Sequence, residues 1–168
     1  MLTFLFLSIF PATLMVAAAT DIHDFKIPNW ISGVLLFGFI AAGISLGTPI
    51  ELLAEGLLLG CAVLVVGFVL FAVRFFGGGD AKLFAATAPW VGLAAFPEFL
   101  MATAITGGFL AIFLLVFRKT PPLPVYAHAQ WLLRMHQNQH ELPYGVAIAA
   151  GGIFLFPETP LFKFAFGG

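Results

Sequence analysis

The stretch Gly77-Gly78-Gly79-Asp80-Ala81-Lys82 divides a chain that is otherwise almost continuously apolar. Glycine is unfavourable in a regular helix and reaches backbone angles closed to other residues, so this run predicts that one membrane-length segment ends and another begins. Asp80 and Lys82 place an ionisable pair at the junction. An aspartate at the edge of a bilayer is a functional candidate, because burial of its charge costs free energy. The simpler interpretation is a solvated turn between two helices.

The composition indicates a polytopic membrane protein. Of 168 residues, 61% are hydrophobic and only 9% are charged, and the mean hydropathy is +1.07. A soluble domain of this size could not bury so much apolar surface, so lipid must be the solvent for most of the chain. The net charge of -1 excludes the basic surface of a nucleic-acid-binding protein. The single cysteine, Cys61, excludes an intrachain disulfide and a paired-cysteine metal site.

The apolar segments predict an all-α membrane protein, with about six spans in a single domain covering residues 1–168. The predicted spans are about 2–20, 30–47, 52–73, 83–96, 99–117 and 146–156. We interpret the first as a retained helix that ends at Asp21, because no Lys or Arg precedes it as in a cleaved signal peptide. The fourth is shorter than the ~20 residues that a span usually needs, so a re-entrant segment is the alternative.

The distribution of Lys and Arg predicts the orientation. With six spans, most positive residues fall on one side of the membrane: Lys26, Arg74, Lys82, Arg118, Lys119 and Arg134. Only Lys163 falls on the other side, together with the four glutamates at 51, 55, 98 and 158. Positive residues concentrate in cytoplasmic loops, so we expect the polar loops in the cytoplasm and both termini outside. The asymmetry also favours a fourth segment that crosses. Without that crossing, Arg118, Lys119 and Arg134 would fall on the outer side of the membrane.

The longest polar stretch, residues 120–142, follows the fifth span. Within it, residues 126–139 place three apolar side chains near one helical face, which predicts a cytoplasmic helix at the membrane interface: Trp131, Leu132 and Met135. The same stretch contains residues from which a metal site could be built: His128, His136, His140 and Glu141. We expect no metal, because the flanking sequence is typical of a polar interfacial helix.

The predicted topology brings two aspartates to one membrane face. Asp21 ends the first span, and the next two spans form a hairpin that returns the chain to the same side at Asp80. Two close carboxylates cannot both ionise cheaply and therefore share a proton. One can act as general base on a water molecule while its protonated partner polarises a scissile carbonyl, which is the chemistry of an aspartic protease. The glycines beside Asp80 offer a backbone that an extended substrate can approach closely.

Asp21 followed by Ile27-Pro28-Asn29, together with the run from Gly77 to Leu83, resembles the two signatures of type IV prepilin peptidases. The second signature is the GxGD motif of membrane aspartyl proteases. The compact chain is similar to the CpaA/TadV branch, which serves Flp-type (tight-adherence) pili, and the resemblance includes Leu142-Pro143-Tyr144-Gly145-Val146. It implies a peptidase of the bacterial cytoplasmic (inner) membrane that cleaves the leader of an Flp-type prepilin at the cytoplasmic face. The implied partners are prepilin, the bilayer and the pilus assembly machinery, with no cofactor.

The resemblance makes Asp21 and Asp80 the catalytic pair. Asp24 is the competing candidate for the first position, but the spacing to Pro28 favours Asp21. Substrate-binding or supporting roles are expected for seven residues: Pro28, Gly77, Gly79, Lys82, Pro143, Tyr144 and Gly145. For Lys82, a positively charged anchor at the membrane interface is the alternative role.

Two other functions remain open at this point. One is a GxGD intramembrane protease of the signal-peptide-peptidase kind, for which six short spans are few. The other is a small transporter or assembly scaffold whose aspartates bind protons or ions, which aspartates deep within spans would favour. Larger prepilin peptidases also carry a cysteine-rich zinc domain near the N-terminus and N-methylate the trimmed pilin. The given sequence has no such cysteines ahead of its first span, so the resemblance leaves methyl transfer open.

Overall fold

A computed structural model describes residues 2–120, 130–137 and 142–167, and every regular element in these ranges is helical. The elements are α1 (Leu2–Asp24), α2 (Asn29–Leu46), α3 (Ile50–Ala72), α4 (Gly78–Lys119), α5 (Gln130–Gln137), α6 (Tyr144–Phe154), a 3₁₀ turn (Phe156–Glu158) and α7 (Pro160–Phe166). Within the described ranges, α1 to α4 are long and apolar enough to cross a membrane, and α6 is a shorter apolar helix. The predicted all-α class is confirmed.

Proline and glycine set the boundaries of α2 and α3. Pro28 and Pro49 precede these helices in extended backbone conformations. Gly47 ends α2 with a left-handed φ of 69°, and its N–H donates to the Ile44 carbonyl at 3.1 Å. Glycine adopts this conformation without the penalty of a Cβ atom, so it is a common helix terminator. Both helices lie close to the spans predicted at 30–47 and 52–73.

The prediction that α1 ends at Asp21 is wrong. The helix continues to Asp24, and it stops where Phe25 takes a left-handed φ of 52°. The Phe25 N–H still donates to the Asp21 carbonyl at 2.9 Å, as in a continuing helix. Asp21 therefore lies within the last turns of α1, where the helix fixes the direction of its side chain. Pro28 then delays the next helix until Asn29.

α4 consists of two helical limbs, because Gly92 interrupts it with φ 75° and ψ 162°. The ring centroids of Phe84 and Phe99 lie 4.8 Å apart, whereas a straight helix would hold these positions about 22 Å apart. The chain therefore reverses direction at Gly92. We call residues 78–91 the first limb and residues 93–119 the second limb.

The predicted boundary between the fourth and fifth spans, at Pro97 and Glu98, is wrong. Both residues lie within the second limb. Pro160 packs over the reversal, and a Cβ atom at position 92 would overlap its ring. The lack of space and the backbone conformation thus both require a glycine at position 92. This single glycine was a weaker signal in the sequence than the proline five positions later.

The core forms where α1, α2, the first limb and α6 meet. Trp90 is fully buried, with ring centroids 5.0 Å from Phe10 and 5.8 Å from Phe39. Its indole N–H donates to the Leu35 carbonyl at 2.8 Å, which satisfies the polar group that a buried tryptophan brings with it. The outer faces of α3 and the second limb instead expose large apolar side chains, among them Phe68 and Phe109. These faces suit contact with lipid.

The charged segments lie at two opposite ends of the helix bundle. At one end, the Lys82 Nζ donates to the Asn29 Oδ1 at 2.9 Å, and the Arg134 Nη1 lies 3.5 Å from the Asp24 Oδ1. At the other end, near the reversal of α4, Lys163 forms an ion pair with Glu158 at 2.7 Å. The two groups of charges that the sequence assigned to two membrane sides are thus separated along the bundle. Which end faces the cytoplasm stays a prediction.

α5 packs at the same end as Lys82. The Arg118 Nε donates to the Met135 carbonyl at 3.0 Å, and Met135 is buried while Trp131 is exposed. Met135 thus faces the bundle while Trp131 does not, and the location of this helix at the membrane interface stays a prediction. The predicted helix at 126–139 extends at both ends outside the described residues.

Candidate active site

Asp21 and Asp80 line one cleft of about 1030 Å³ at the end of the bundle that carries Lys82. The loop after α1, the segment before α4 and the start of α6 form its walls. The two carboxyl groups lie close enough for the charge of Asp21 to act on Asp80. The structure therefore brings together the two aspartates that the hairpin topology predicted to be near each other.

Asp21 is the more enclosed of the two aspartates, with 4% of its surface exposed. Its Oδ2 accepts a hydrogen bond of 2.7 Å from the backbone N–H of Gly145. Gly145 is the second residue of α6, where backbone N–H groups have no partner within the helix and the helix dipole favours negative charge. A Cβ atom at Gly145 would lie 2.8 Å from the Asp21 Oδ2, so the close approach requires glycine. This arrangement stabilises a carboxylate at Asp21.

Asp80 lies in the first turn of α4 and is half-buried. Gly77 caps that helix in an extended conformation, and a Cβ atom there would lie 2.5 Å from the Asp80 Oδ2. None of the three consecutive glycines has a positive φ, so the expectation that they need unusual backbone angles is wrong. What they provide is space. A Cβ atom at Gly79 would lie 3.3 Å from the Ile27 Cβ, so this glycine lets the two aspartate-bearing segments pack together.

Lys82 lies beside the cleft but is not among the residues that line it. Its hydrogen bond to Asn29 joins the start of α4 to the start of α2. Among the described residues, the Lys82 side chain therefore hydrogen-bonds to Asn29 and not to Asp80. This geometry fits a residue that holds the cleft walls together.

The remaining predicted residues are distributed around the cleft. Pro28 and Tyr144 line it, whereas Pro143, directly before α6, is buried and does not line it. Asp24 lies outside the lining, with an exposed side chain that contacts His23 at 3.0 Å. The structure thus separates Asp21 from its competitor, although the two are only one helical turn apart.

Several lining residues were missed as site candidates. Phe76 forms an edge-to-face pair with Tyr144, with ring centroids 5.4 Å apart. Lys26 and Arg74 add positive charge to the lining, and the sequence interpretation used them only as markers of orientation. Arg74 has a left-handed φ of 60°, an uncommon conformation for a residue with a side chain. The one available signal was the position of both residues just before the glycine run, Phe76 directly before Gly77 and Arg74 three residues before it.

Of the four residues in the predicted alternative metal site, the structure describes only His136. Among the described residues, no group of three or more His, Cys, Asp or Glu could hold a metal ion. The His136 Nε2 donates to the Thr120 carbonyl at 2.8 Å. The other residues of that alternative lie outside the described residues: His128, His140 and Glu141.

Comparison with known proteins shows a family whose sequence model matches most of the chain. The sequence model of the type IV leader peptidase family matches residues 8–112, a range that includes both aspartates. A prepilin leader peptidase/N-methyltransferase from Aeromonas hydrophila is 28% identical over 137 residues, which are 79% of this chain and 42% of that protein. The chain therefore spans less than half the length of this relative. No solved structure matches the chain significantly.

Proposed function

The chain belongs to the type IV leader peptidase family, and from this premise we propose that it is a membrane aspartic endopeptidase that removes the leader from type IV prepilins. The observation that carries the proposal is the meeting of Asp21 and Asp80 in one cleft at the end of an apolar helix bundle. The family match and the similarity to a prepilin leader peptidase support the same activity.

In the proposed mechanism, Asp21 is the base and Asp80 is the acid. The Gly145 N–H donates to Asp21, and hydrogen bonds to a charged acceptor are stronger than those to a neutral one. Among the described residues, Asp80 has no comparable donor and faces the Asp21 charge. A single proton shared by the pair therefore resides on Asp80, where it can be donated to a substrate.

The reaction then follows the general acid–base scheme. Asp21 takes a proton from a water molecule, whose oxygen attacks the carbonyl carbon of the scissile bond, while Asp80 donates its proton to the carbonyl oxygen. The tetrahedral intermediate collapses as the carbon–nitrogen bond breaks. The proton on Asp21 passes to the leaving amine, and the hydroxyl proton returns to Asp80. The products are the leader with a new carboxyl end and the trimmed protein with a new amine.

We further propose six membrane crossings, by α1, α2, α3, the two limbs of α4 and α6, with the cleft at the cytoplasmic face. The positive residues near the cleft support this orientation, because Lys and Arg concentrate in cytoplasmic loops. A bond cut in this cleft must lie at the cytoplasmic edge of the bilayer. A periplasmic cleavage junction would be a hydrocarbon thickness away, roughly 30 Å, and could not reach the aspartates.

The proposed substrate is an Flp-type prepilin. The support is the resemblance of the sequence, including Leu142-Pro143-Tyr144-Gly145-Val146, to the CpaA/TadV branch, and the geometry of a prepilin, which inserts with a basic leader inside and an apolar helix in the bilayer. Such a protein presents its leader junction at the depth of the cleft. The junction typically follows a glycine, whose lack of a side chain suits a narrow site.

The test uses the purified protein in liposomes with an Flp-type prepilin and a chelator. The wild type should release the short leader by a cut on the cytoplasmic side of the apolar segment. Asp21→Asn and Asp80→Asn should each lower the initial rate by a factor on the order of 10²–10⁴, because asparagine cannot exchange the proton. Asp24→Asn is the matched control and should keep most of the activity.

Three outcomes would contradict the proposal. They are a cut on the periplasmic side of the apolar segment, activity that appears only when zinc is added, and normal cleavage by Asp21→Asn. Loss of activity in Asp24→Asn alone would identify Asp24 as the first catalytic aspartate. Circular dichroism of each variant should show unchanged helix content, so that lost activity is not lost folding.

A further inference from the structure

An apolar groove of about 560 Å³ lies beside the aspartate cleft. One wall is a single face of α3, formed at helical spacing by Leu59, Ala62, Val66 and Leu70. The opposite wall is the second limb of α4, with Phe96, Leu100 and Ala104, and the floor is the first limb. We call this feature the α3–α4 groove.

The groove exists because α3 packs against the first limb and stands apart from the second. Gly60 and Gly67 allow that packing: a Cβ atom at Gly60 would lie 3.0 Å from the Ala85 carbonyl oxygen, and one at Gly67 would lie 3.1 Å from the Ala81 Cβ. Small residues let helices approach closely in membranes. The reversal at Gly92 then carries the second limb back alongside at a distance, and the space between the two walls stays open.

The groove adjoins the aspartate cleft. Phe76 and Tyr144 line both of them, and their edge-to-face contact forms the boundary between the two. From Leu59 to Leu70, the α3 wall runs about 16 Å along the helix axis. The groove therefore leads away from the aspartates, from Leu70 towards Leu59 along the axis of α3.

We propose that the α3–α4 groove binds the apolar helix of the substrate, and that the substrate chain contacts the Phe76–Tyr144 pair where it passes from the groove into the cleft. This inference rests on the proposed function, because a prepilin has an apolar helix directly beyond its leader junction. With that junction at the aspartates, the apolar helix must leave the cleft on the membrane side. The groove begins at that point, has walls of apolar side chains, and carries small residues at Ala62 and Ala104 that admit a helix.

The first test fills the groove from either wall. Ala62 and Ala104 are exposed within it, so Ala62→Phe and Ala104→Phe can be accommodated without disturbing the packing of the bundle. Each should lower kcat/KM for an intact prepilin by about tenfold, the effect of losing a modest part of the binding free energy. Val65→Phe and Ile105→Phe are the matched controls, because these exposed neighbours lie outside the groove. Equal rates for groove and control variants would overturn the inference.

The second test does not depend on cleavage. In a Cys61→Ser, Asp80→Asn background, Ala104→Cys should form a disulfide with a single cysteine placed in the apolar segment of the prepilin, and Ile105→Cys should not. Cross-linking at both positions alike, or of Ala104→Cys only to a second copy of the peptidase, would refute the groove as the substrate site. Cross-linking through Ala104→Cys by a protein whose wild type cuts no prepilin would reject the proposed function and leave the groove assignment standing.

Discussion

The position of the Asp21 carboxylate depends on Gly145, a residue 124 positions away in the sequence. The Gly145 N–H approaches the Asp21 Oδ2 at 2.7 Å because no side chain stands between the start of α6 and the end of α1. The same position lies against Ile27, whose Cδ1 would be 2.8 Å from an added Cβ atom. Gly145 is therefore a positioning residue for the proposed base, since it acts on the reaction through Asp21.

A methyl group at Gly145 should displace Asp21 while both aspartates remain present. We expect Gly145→Ala to lower kcat by about 10²-fold with a smaller change in KM, because a misplaced catalytic group loses its alignment with the reacting atoms. The measurement is steady-state cleavage of prepilin in liposomes. Gly108→Ala is the control, as a Cβ atom there would meet nothing within 4 Å. Equal kcat values for the two variants would show that the contact with Gly145 does not orient Asp21.

At the level of elements, α4 is governed by the reversal at Gly92. A residue with a side chain would be strained at this φ of 75° and would also overlap Pro160. We expect Gly92→Ala to reduce the free energy of unfolding by about 1–3 kcal/mol from backbone strain alone. Thermal unfolding in detergent would measure this loss as a lower Tm.

Gly108→Ala again provides the comparison for Gly92→Ala, since Gly108 lies within the second limb and has open space around it. Replacement of glycine by alanine inside a helix is favourable by roughly 0.5–1 kcal/mol. Its Tm should therefore equal or exceed that of the wild type. An unchanged Tm for Gly92→Ala would mean that the limbs can reverse without a positive φ at this position.

Local signals in the sequence predicted the elements that begin or end at strong breakers. Pro28, Gly47 and Pro49 fixed α2 and α3 almost correctly, and the hairpin of these helices correctly brought Asp21 and Asp80 to one cleft. The reversal of α4 was misplaced, because its position depends on the contact of Gly92 with Pro160, a residue remote in sequence. Proline tolerated within a membrane helix gave the misleading signal at Pro97.

The site was predictable to a similar degree. The two aspartates stand out because charges are rare in this chain, and because the residues that follow Asp21 and flank Asp80 resemble known motifs. Their surroundings were not predictable from spacing: the bond from Gly145 to Asp21 and the aromatic pair of Phe76 with Tyr144 join segments far apart in the chain. Such contacts follow from how α1, α4 and α6 pack together. Asp24, by contrast, was correctly expected to be a solvated carboxylate.

At the scale of the whole molecule, the two ends of the bundle should face opposite sides of the membrane. In a Cys61→Ser background, we expect Lys119→Cys to react with an impermeant maleimide from the cytoplasmic side and Glu51→Cys from the periplasmic side. Both positions are exposed, and the excess of Lys and Arg near Lys119 predicts the orientation. Intact cells and inverted vesicles provide the two directions of labelling. Reaction of both cysteines from the same side would refute the six-span topology.

The contact between α1 and α6 also has a consequence for biosynthesis. Both aspartates are translated before Gly145, so a growing chain carries the pair without the group that hydrogen-bonds to Asp21. Nascent chains arrested before α6 should consequently be inert, and activity should appear only after that helix has inserted. If the proposed function holds, the order of translation therefore delays peptidase activity until α6 is in place, and an incomplete chain could not cleave other proteins at the site of insertion.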